Sequence, residues 1–271
     1  MELIQAIVLG IVQGLTEWLP ISSTAHLRVV PALLGWEDPG AAFTAVIQIG
    51  TLFAAIIYFR RDLWSALSAW VRSFKTKESS PEARMGWAIF YGTIPIVIFG
   101  FLFKDQIKGA GFRSIQTMAI MLIVMGVLLL VAEKVGKRGR PLVSVQPKDG
   151  WLVGLWQAIA LIPGASRSGS TITGSLLLGF DRTTAARFSF LLSTPSIAAA
   201  GIFELIEERK AILNDNLMPT IVATLVSFVV GYASIAFLMK FLQTKSTMVF
   251  IVYRVALGVL LLVLLSRGVV S

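Results

Sequence analysis

The stretch TEWLPISSTAH, residues 16–26, places a glutamate, a proline, two serines, two threonines and the only histidine of the chain within eleven residues. The flanking segments, IQAIVLGIVQGL (4–15) and LRVVPALLGW (27–36), are as apolar as a membrane span. Each flank is too short to cross about 30 Å of hydrocarbon by itself. A polar, proline-broken backbone is tolerated at membrane depth only where protein or a wet cavity surrounds it. The pattern therefore predicts a re-entrant helical hairpin over residues 1–35.

The composition indicates an integral membrane protein. The chain has 271 residues, of which 56% are hydrophobic and 14% charged, and its mean hydropathy is +0.79. Soluble domains carry about 25% charged residues. The absence of cysteine excludes disulfides and thiolate metal sites. The net charge of +9 does not require a nucleic-acid partner, because cytoplasmic loops of membrane proteins are themselves basic.

Hydropathy predicts six full spans and a second broken region. The spans are 41–59, 85–103, 115–133, 187–206, 218–242 and 248–266. The second broken region, 150–180, is interrupted by PGASRSGS (163–170) and predicts another re-entrant hairpin.

The basic residues orient this topology. If the spans alternate, fifteen Lys and Arg residues fall on one side and six on the other. The six are Lys104, Lys108, Arg113, Arg209, Lys210 and Arg267. The positive-inside rule makes the richer side cytoplasmic and places both termini outside.

The order of elements predicts two inverted repeats. Residues 1–135 and 150–271 each contain a hairpin and three spans, joined by a cytoplasmic linker, 136–149, within one membrane domain. An odd number of spans per unit turns the second unit upside down, which is the architecture of inverted-repeat membrane proteins with sites near the midplane. Weak similarity between 12–26 and 156–171 agrees with this, and the polar tips of the two hairpins are expected to meet.

The first tip offers three reactive groups. Gln13 and Glu17 are four apart and share one helix face. The polar run after the proline can cap the next half-helix, on which Ser23 and His26 lie three apart. The alternative is that the serines are only caps and His26 is a satisfied interior histidine. The cost of ionisable groups inside a membrane favours a functional role.

The second tip predicts an anion site. Arg167 stands in a glycine- and serine-rich turn, just before a predicted half-helix. Free N–H groups at a helix start and a guanidinium fork suit a phosphate or pyrophosphate. The hydroxyl residues predicted to help bind it are Ser22, Thr24, Ser166, Ser168, Ser170 and Thr171.

Three polar residues in the spans are less informative. Gln48 either lines the cavity or bonds between helices, and the sequence does not choose. Arg254 is predicted to snorkel at the cytoplasmic end of its span, and Glu204 to be interfacial at the outer end of its own.

The signatures QGLTEWLPISSTAH and PGASRSGST closely resemble those of the undecaprenyl-pyrophosphate phosphatase family, also known as bacitracin-resistance proteins, over essentially the whole chain. The positions that match are Gln13, Glu17, Pro20, Ser22, Ser23, Thr24, His26, Pro163, Gly164, Ser166, Arg167 and Ser168. The resemblance implies removal of the terminal phosphate of undecaprenyl pyrophosphate at the outer face of the bacterial inner membrane. That reaction recycles the carrier lipid for peptidoglycan and other cell-wall glycans.

The resemblance also implies site roles and a cofactor. Glu17, Ser23, His26 and Arg167 are the expected catalytic residues, and Gln48 is expected to help bind substrate. Magnesium or calcium would assist. Many family members have glutamate where this chain has Gln13, so a cation here would depend on Glu17, substrate oxygens and water, with Gln13 as a neutral ligand.

The sequence does not decide which residue is the nucleophile. Either Ser23 attacks phosphorus with His26 as base, or His26 attacks and forms a phosphohistidine. The expected partners are the polyprenyl pyrophosphate lipid and the bilayer; a homodimer is compatible with the sequence but no pattern requires one.

Two other functions share some of these features. A lipid flippase or secondary transporter would share inverted repeats and broken helices, but would not need a nucleophile and a base. The type-2 phosphatidic acid phosphatase class needs two histidines, and this chain has one.

Overall fold

The computed structural model describes residues 1–77, 79–109, 111–207 and 217–270, so Arg209 and Lys210 lie outside the described residues. These ranges are helical and contain no β-strand. The α-helices, in chain order, are α1 (Leu3–Trp18), α2 (Ser23–Leu34), α3 (Gly40–Tyr58), α4 (Arg60–Thr76), α5 (Pro81–Leu102), α6 (Lys104–Lys108), α7 (Ile115–Val135), α8 (Pro147–Ile159), α9 (Arg167–Leu177), α10 (Arg182–Glu207), α11 (Leu217–Phe241) and α12 (Met248–Ser266). A 3₁₀ turn, Leu142–Ser144, lies between α7 and α8.

The chain is a multi-pass membrane protein. Five described helices, α5, α7, α10, α11 and α12, are long and apolar enough to cross a membrane. They coincide with the predicted spans from 85–103 onward to within a few residues at most boundaries.

The predicted span 41–59 coincides with α3 (Gly40–Tyr58), a 19-residue apolar helix, and the difference from the structure lies in the segment that follows. Helix α4 begins at Arg60 and is bent by 78° from the segment Phe43–Tyr58 of α3. The sequence prediction placed 60–76 in a loop because basic residues lower its mean hydropathy. Its helical periodicity is amphipathic, with Trp64 and Phe74 exposed and Ala66 and Ala69 buried.

The two predicted breaks are present, and they begin new helices in the same way. Helix α1 stops before Leu19, whose extended backbone (φ −68°, ψ 140°) is the conformation favoured before Pro20. Helices α2 and α9 both start after a serine with positive φ, Ser22 at 75° and Ser166 at 70°. Each serine hydroxyl accepts a hydrogen bond from a backbone N–H, which satisfies one free donor of the new helix.

The helices that precede the two breaks, α1 and α8, each pack very closely on a membrane-spanning helix. A Cβ on Gly14 of α1 would lie 2.6 Å from the Cβ of Val230 in α11. A Cβ on Gly150 of α8 would lie 2.1 Å from the carbonyl oxygen of Ala88 in α5. Small residues allow this backbone approach, as is typical of membrane helix pairs.

Ion pairs fix the linker between α7 and α8, and the start of α10. Glu133 pairs with Arg182 and with Arg138, and Arg140 pairs with Asp149 at 2.6 Å. These contacts hold the end of the bundle opposite the cavity described below.

Candidate active site

The first turn is organised around the carboxylate of Glu17. Ser23 Oγ donates a hydrogen bond to Glu17 Oε2 at 2.7 Å, and Gln13 Nε2 donates to the same oxygen at 3.0 Å. Gln48 of α3 reaches it at 3.5 Å, so its amide both links two helices and contacts the site. Only 6% of Glu17 is exposed, and a carboxylate so buried needs such donors.

His26 has partners other than Ser23. Its Nδ1 lies 2.7 Å from the carbonyl oxygen of Ser22, and its Nε2 lies 2.7 Å from the hydroxyl of Tyr253. The two rings are nearly parallel, with 9° between their planes. The described contacts thus bring Ser23 to Glu17 rather than to His26. Sequence analysis missed Tyr253, which belongs to neither motif.

The second turn touches the first. Ser168 Oγ donates hydrogen bonds to the carbonyl oxygens of Glu17, at 3.2 Å, and Leu19, at 3.1 Å. The expectation that the two polar tips meet is therefore confirmed. Arg167 precedes Ser168 as the first residue of α9, and its Nη1 is buried with no hydrogen-bond partner among the described residues. A buried guanidinium nitrogen without a partner is costly, and an anion would satisfy it.

The remaining predicted hydroxyls are spread around the turns. Ser166 contacts Ser168 at 3.2 Å. The hydroxyl of Thr171 is engaged with the Arg167 carbonyl oxygen at 2.7 Å and with Ser189 of α10. Ser170 Oγ is buried without a partner in the described chain.

The prediction for Arg254 is wrong. It is fully buried rather than snorkelling, and its guanidinium donates to the carbonyl oxygens of Pro20 at 3.0 Å, Gly164 at 3.1 Å and Ala165 at 2.8 Å. The broken helices leave these carbonyls without helical donors, and a membrane interior offers no water to satisfy them. Arg254 therefore joins the two turns from α12.

A cavity of about 420 Å³ reaches Arg167 from between α5, the α8–α9 turn and α10. Its walls are mostly apolar, with Phe101 and Phe203 among them, and Lys104 and Glu204 are its other charged residues. Glu204, which the sequence predicts to be interfacial, therefore lines this cavity. A lipid with a charged head and an apolar chain matches this distribution of groups.

The donor set for a cation is small and made of oxygen. No group of three His, Cys, Asp or Glu residues in the described ranges is placed to hold a metal ion. Glu17 supplies a carboxylate, and Gln13 Oε1 beside it is buried without a partner in the same ranges. Hard oxygen ligands of this kind fit Mg²⁺ or Ca²⁺ if substrate and water complete the coordination.

Comparisons with known proteins cover nearly the whole chain. The family model described as Bacitracin resistance protein BacA matches residues 6–260. Undecaprenyl-diphosphatase of Myxococcus xanthus (strain DK1622) is 53% identical over 273 residues, covering 100% of this chain and 92% of the relative. Undecaprenyl-diphosphatase of Chlorobium phaeovibrioides (strain DSM 265 / 1930) is 55% identical over 280 residues, covering 99% of both. That of Chlorobium limicola is 53% identical over 279 residues, covering 99% and 98%.

Proposed function

Because the chain belongs to the bacitracin resistance protein BacA family, we propose that it is a membrane phosphatase that hydrolyses undecaprenyl pyrophosphate to undecaprenyl phosphate and inorganic phosphate. One observation carries the proposal beyond family membership. The turn bearing Arg167, whose Nη1 has no partner among the described residues, is hydrogen-bonded through Ser168 to the turn bearing the Glu17–Ser23 pair. The guanidinium that needs an anion thus lies on one turn, and the hydroxyl bonded to a carboxylate lies on the adjoining turn.

In this mechanism Arg167 and the N–H groups at the start of α9 bind the pyrophosphate and offset the charge that grows in the transition state. Ser23 Oγ attacks the terminal phosphorus while Glu17 accepts its proton. The bond from that phosphorus to the bridging oxygen breaks, and undecaprenyl phosphate leaves with the electron pair. Water then attacks the phosphorus of the phosphoserine, the Oγ–P bond breaks, inorganic phosphate is released, and Ser23 Oγ recovers its proton from Glu17.

The contacts favour Ser23 as nucleophile with Glu17 as its base over the two assignments that the sequence allows. Ser23 is bonded to a carboxylate at 2.7 Å, and both ring nitrogens of His26 are bonded elsewhere. Attack by His26 on phosphorus would first require its Nε2 to leave the Tyr253 hydroxyl. His26, on the same helix as Ser23, stays a proposed catalytic residue.

A divalent cation, magnesium or calcium, bound by Glu17 and Gln13 together with substrate oxygens, would neutralise charge on the pyrophosphate when present. Gln48, Ser22, Thr24, Ser166, Ser168 and Ser170 remain proposed substrate contacts, and Thr171 is proposed to act through its position in α9. The polyprenyl chain would extend along the apolar walls of the cavity toward the bilayer. The proposal needs no residue from a second copy, although a homodimer is compatible with it.

The proposed architecture is a pair of inverted repeats, 1–135 and 150–271, each with a re-entrant hairpin and joined by the linker 136–149. Two pairs of features support it. The half-helices α2 and α9 share a serine cap with positive φ. In addition, α1 of the first unit packs on α11 of the second, while α8 of the second packs on α5 of the first, as a two-fold relation requires.

The proposed location is the bacterial inner membrane, with both termini and the cavity mouth outside. The cysteine-free chain allows a clean test with single cysteines at exposed positions. A membrane-impermeant thiol reagent added to intact cells should label Glu37→Cys and spare Val143→Cys. The opposite labelling would overturn the orientation.

The alternative is a polyprenyl-phosphate flippase or secondary transporter without hydrolysis. Release of inorganic phosphate from undecaprenyl pyrophosphate by purified protein in detergent separates the two, because no transport is possible there. Release supports the phosphatase, and with it recycling of the carrier lipid and resistance to bacitracin. Absence of release under Mg²⁺ and under Ca²⁺ would favour the alternative. Additional flipping of the product would need a separate assay in vesicles.

A further inference from the structure

Tyr253 makes a specific contact that neither broken helix supplies. It lies on α12, 227 residues from His26 along the chain, and its hydroxyl is 2.7 Å from His26 Nε2. The ring centroids are 5.6 Å apart, and the tyrosine is 44% exposed. A hydrogen bond combined with ring stacking fixes both the position and the rotation of the imidazole.

The partners of His26 determine which nitrogen carries the proton in the neutral ring. The carbonyl oxygen of Ser22 can only accept, so Nδ1, at 2.7 Å from it, must be the N–H donor. Nε2 then has a free lone pair, and the Tyr253 hydroxyl donates to it. The positive φ of Ser22 is part of this arrangement, because the cap residue that starts α2 also presents the carbonyl that selects the tautomer.

We propose that Tyr253 is a positioning residue that fixes the rotation of the His26 ring, by donating a hydrogen bond to Nε2 while the Ser22 carbonyl keeps the proton on Nδ1. The inference rests on the proposed phosphatase function and adds a residue from α12 to it. Without the tyrosine hydroxyl, the hydrogen bond to the Ser22 carbonyl alone would have to orient the ring. The stacking of the two rings would no longer be accompanied by a hydrogen bond between them.

The single histidine makes the tautomer directly measurable. The full-length protein labelled with ¹⁵N only in histidine gives two imidazole nitrogen signals that need no assignment among residues. At a pH where the ring is neutral, the wild type should show one protonated and one unprotonated nitrogen, with the proton on Nδ1. Tyr253→Phe should leave the proton on Nδ1, which still donates to the Ser22 carbonyl, and should shift the Nε2 signal, because that nitrogen loses the hydrogen bond from the tyrosine hydroxyl. Tyr91→Phe, which alters a tyrosine stacked on Trp87 far along the sequence from either motif, is the matched control.

Kinetics test whether this positioning affects the reaction. Tyr253→Phe should lower kcat for phosphate release by about 5- to 10-fold, the scale of one lost hydrogen bond, with KM little changed. In a His26→Ala background, the same substitution should have no further effect, because the tyrosine acts through the histidine.

The outcomes distinguish this inference from the proposed function. An unchanged Nε2 signal in Tyr253→Phe, or an equal further loss in the His26→Ala background, would overturn the inference while the wild type still hydrolyses its substrate. Wild-type protein that releases no phosphate would overturn the proposed function, and with it the kinetic part of the inference. A shifted Nε2 signal accompanied by wild-type kcat would overturn the positioning role.

Discussion

Ser23 donates a 2.7 Å hydrogen bond to Glu17 across the turn at Pro20, although the two residues belong to different helices. The break in the helix is what creates this pair. In a continuous helix, residues six apart point to different faces, so Ser23 could not reach Glu17. The turn that interrupts the apolar segment therefore builds the nucleophile and its acceptor.

Substitution of Glu17 by Gln tests the acceptor role. The amide oxygen can still accept a hydrogen bond from Ser23 but cannot take its proton. We expect kcat to fall by about 100-fold or more, the scale of general base catalysis, with an unchanged helical circular dichroism spectrum. Glu82→Gln, on an exposed position of α5, is the control. Near-normal turnover by Glu17→Gln would exclude Glu17 as the base.

Substitutions of Arg254 and Arg167 should separate stability from activity. Arg254 donates to three turn carbonyls, and its replacement by Met leaves them unsatisfied at a cost of about 1–3 kcal/mol each. Arg254→Met should therefore lower the temperature of unfolding in detergent strongly. Arg167→Met removes a nitrogen that has no partner in the described chain, so it should abolish turnover and spare the unfolding temperature. If Arg254→Met lost only activity and Arg167→Met lost only stability, the assignment of the two arginines would be contradicted.

The charge at position 13 should set the affinity for the cation. Gln13→Glu places a second carboxylate beside Glu17, which strengthens binding of a hard divalent cation. We expect half-maximal phosphate release at a lower Mg²⁺ concentration than in the wild type. Titration of EDTA-treated protein with Mg²⁺ measures this directly. An identical metal requirement in both proteins would remove Gln13 from the proposed cation site.

The close approach of α8 to α5 predicts a stability effect distant from the chemistry. Gly150→Ala would place a methyl group 2.1 Å from the Ala88 carbonyl oxygen, so the two backbones must separate. Its unfolding temperature in detergent should fall. Gly139→Ala, where a Cβ would meet nothing within 4 Å, should leave it unchanged. Equal unfolding temperatures would argue against tight packing of this helix pair.

Sequence reasoning succeeded where one physical property dominated. Hydropathy located the spans, and the prolines and serines located both breaks, because these signals are local. It failed for Arg254, whose partners are carbonyls of two distant turns, and for Tyr253, whose partner is 227 residues away along the chain. The helical spacing predicts that Ser23 pairs with His26, whereas the backbone turn directs the Ser23 hydroxyl toward Glu17. Helix α4 was missed because average hydropathy hides an amphipathic pattern.

The most direct test of the account is to analyse both products formed from undecaprenyl pyrophosphate by purified protein in detergent, with Mg²⁺ or Ca²⁺ present. We predict one inorganic phosphate for each undecaprenyl phosphate from the wild type, both products formed about 100-fold or more slowly by Glu17→Gln, and neither product from Arg167→Met. Equal product formation by wild type and both variants would contradict the assignment of the reaction to the two turns. Failure of the wild type to form either product would contradict the proposed reaction itself.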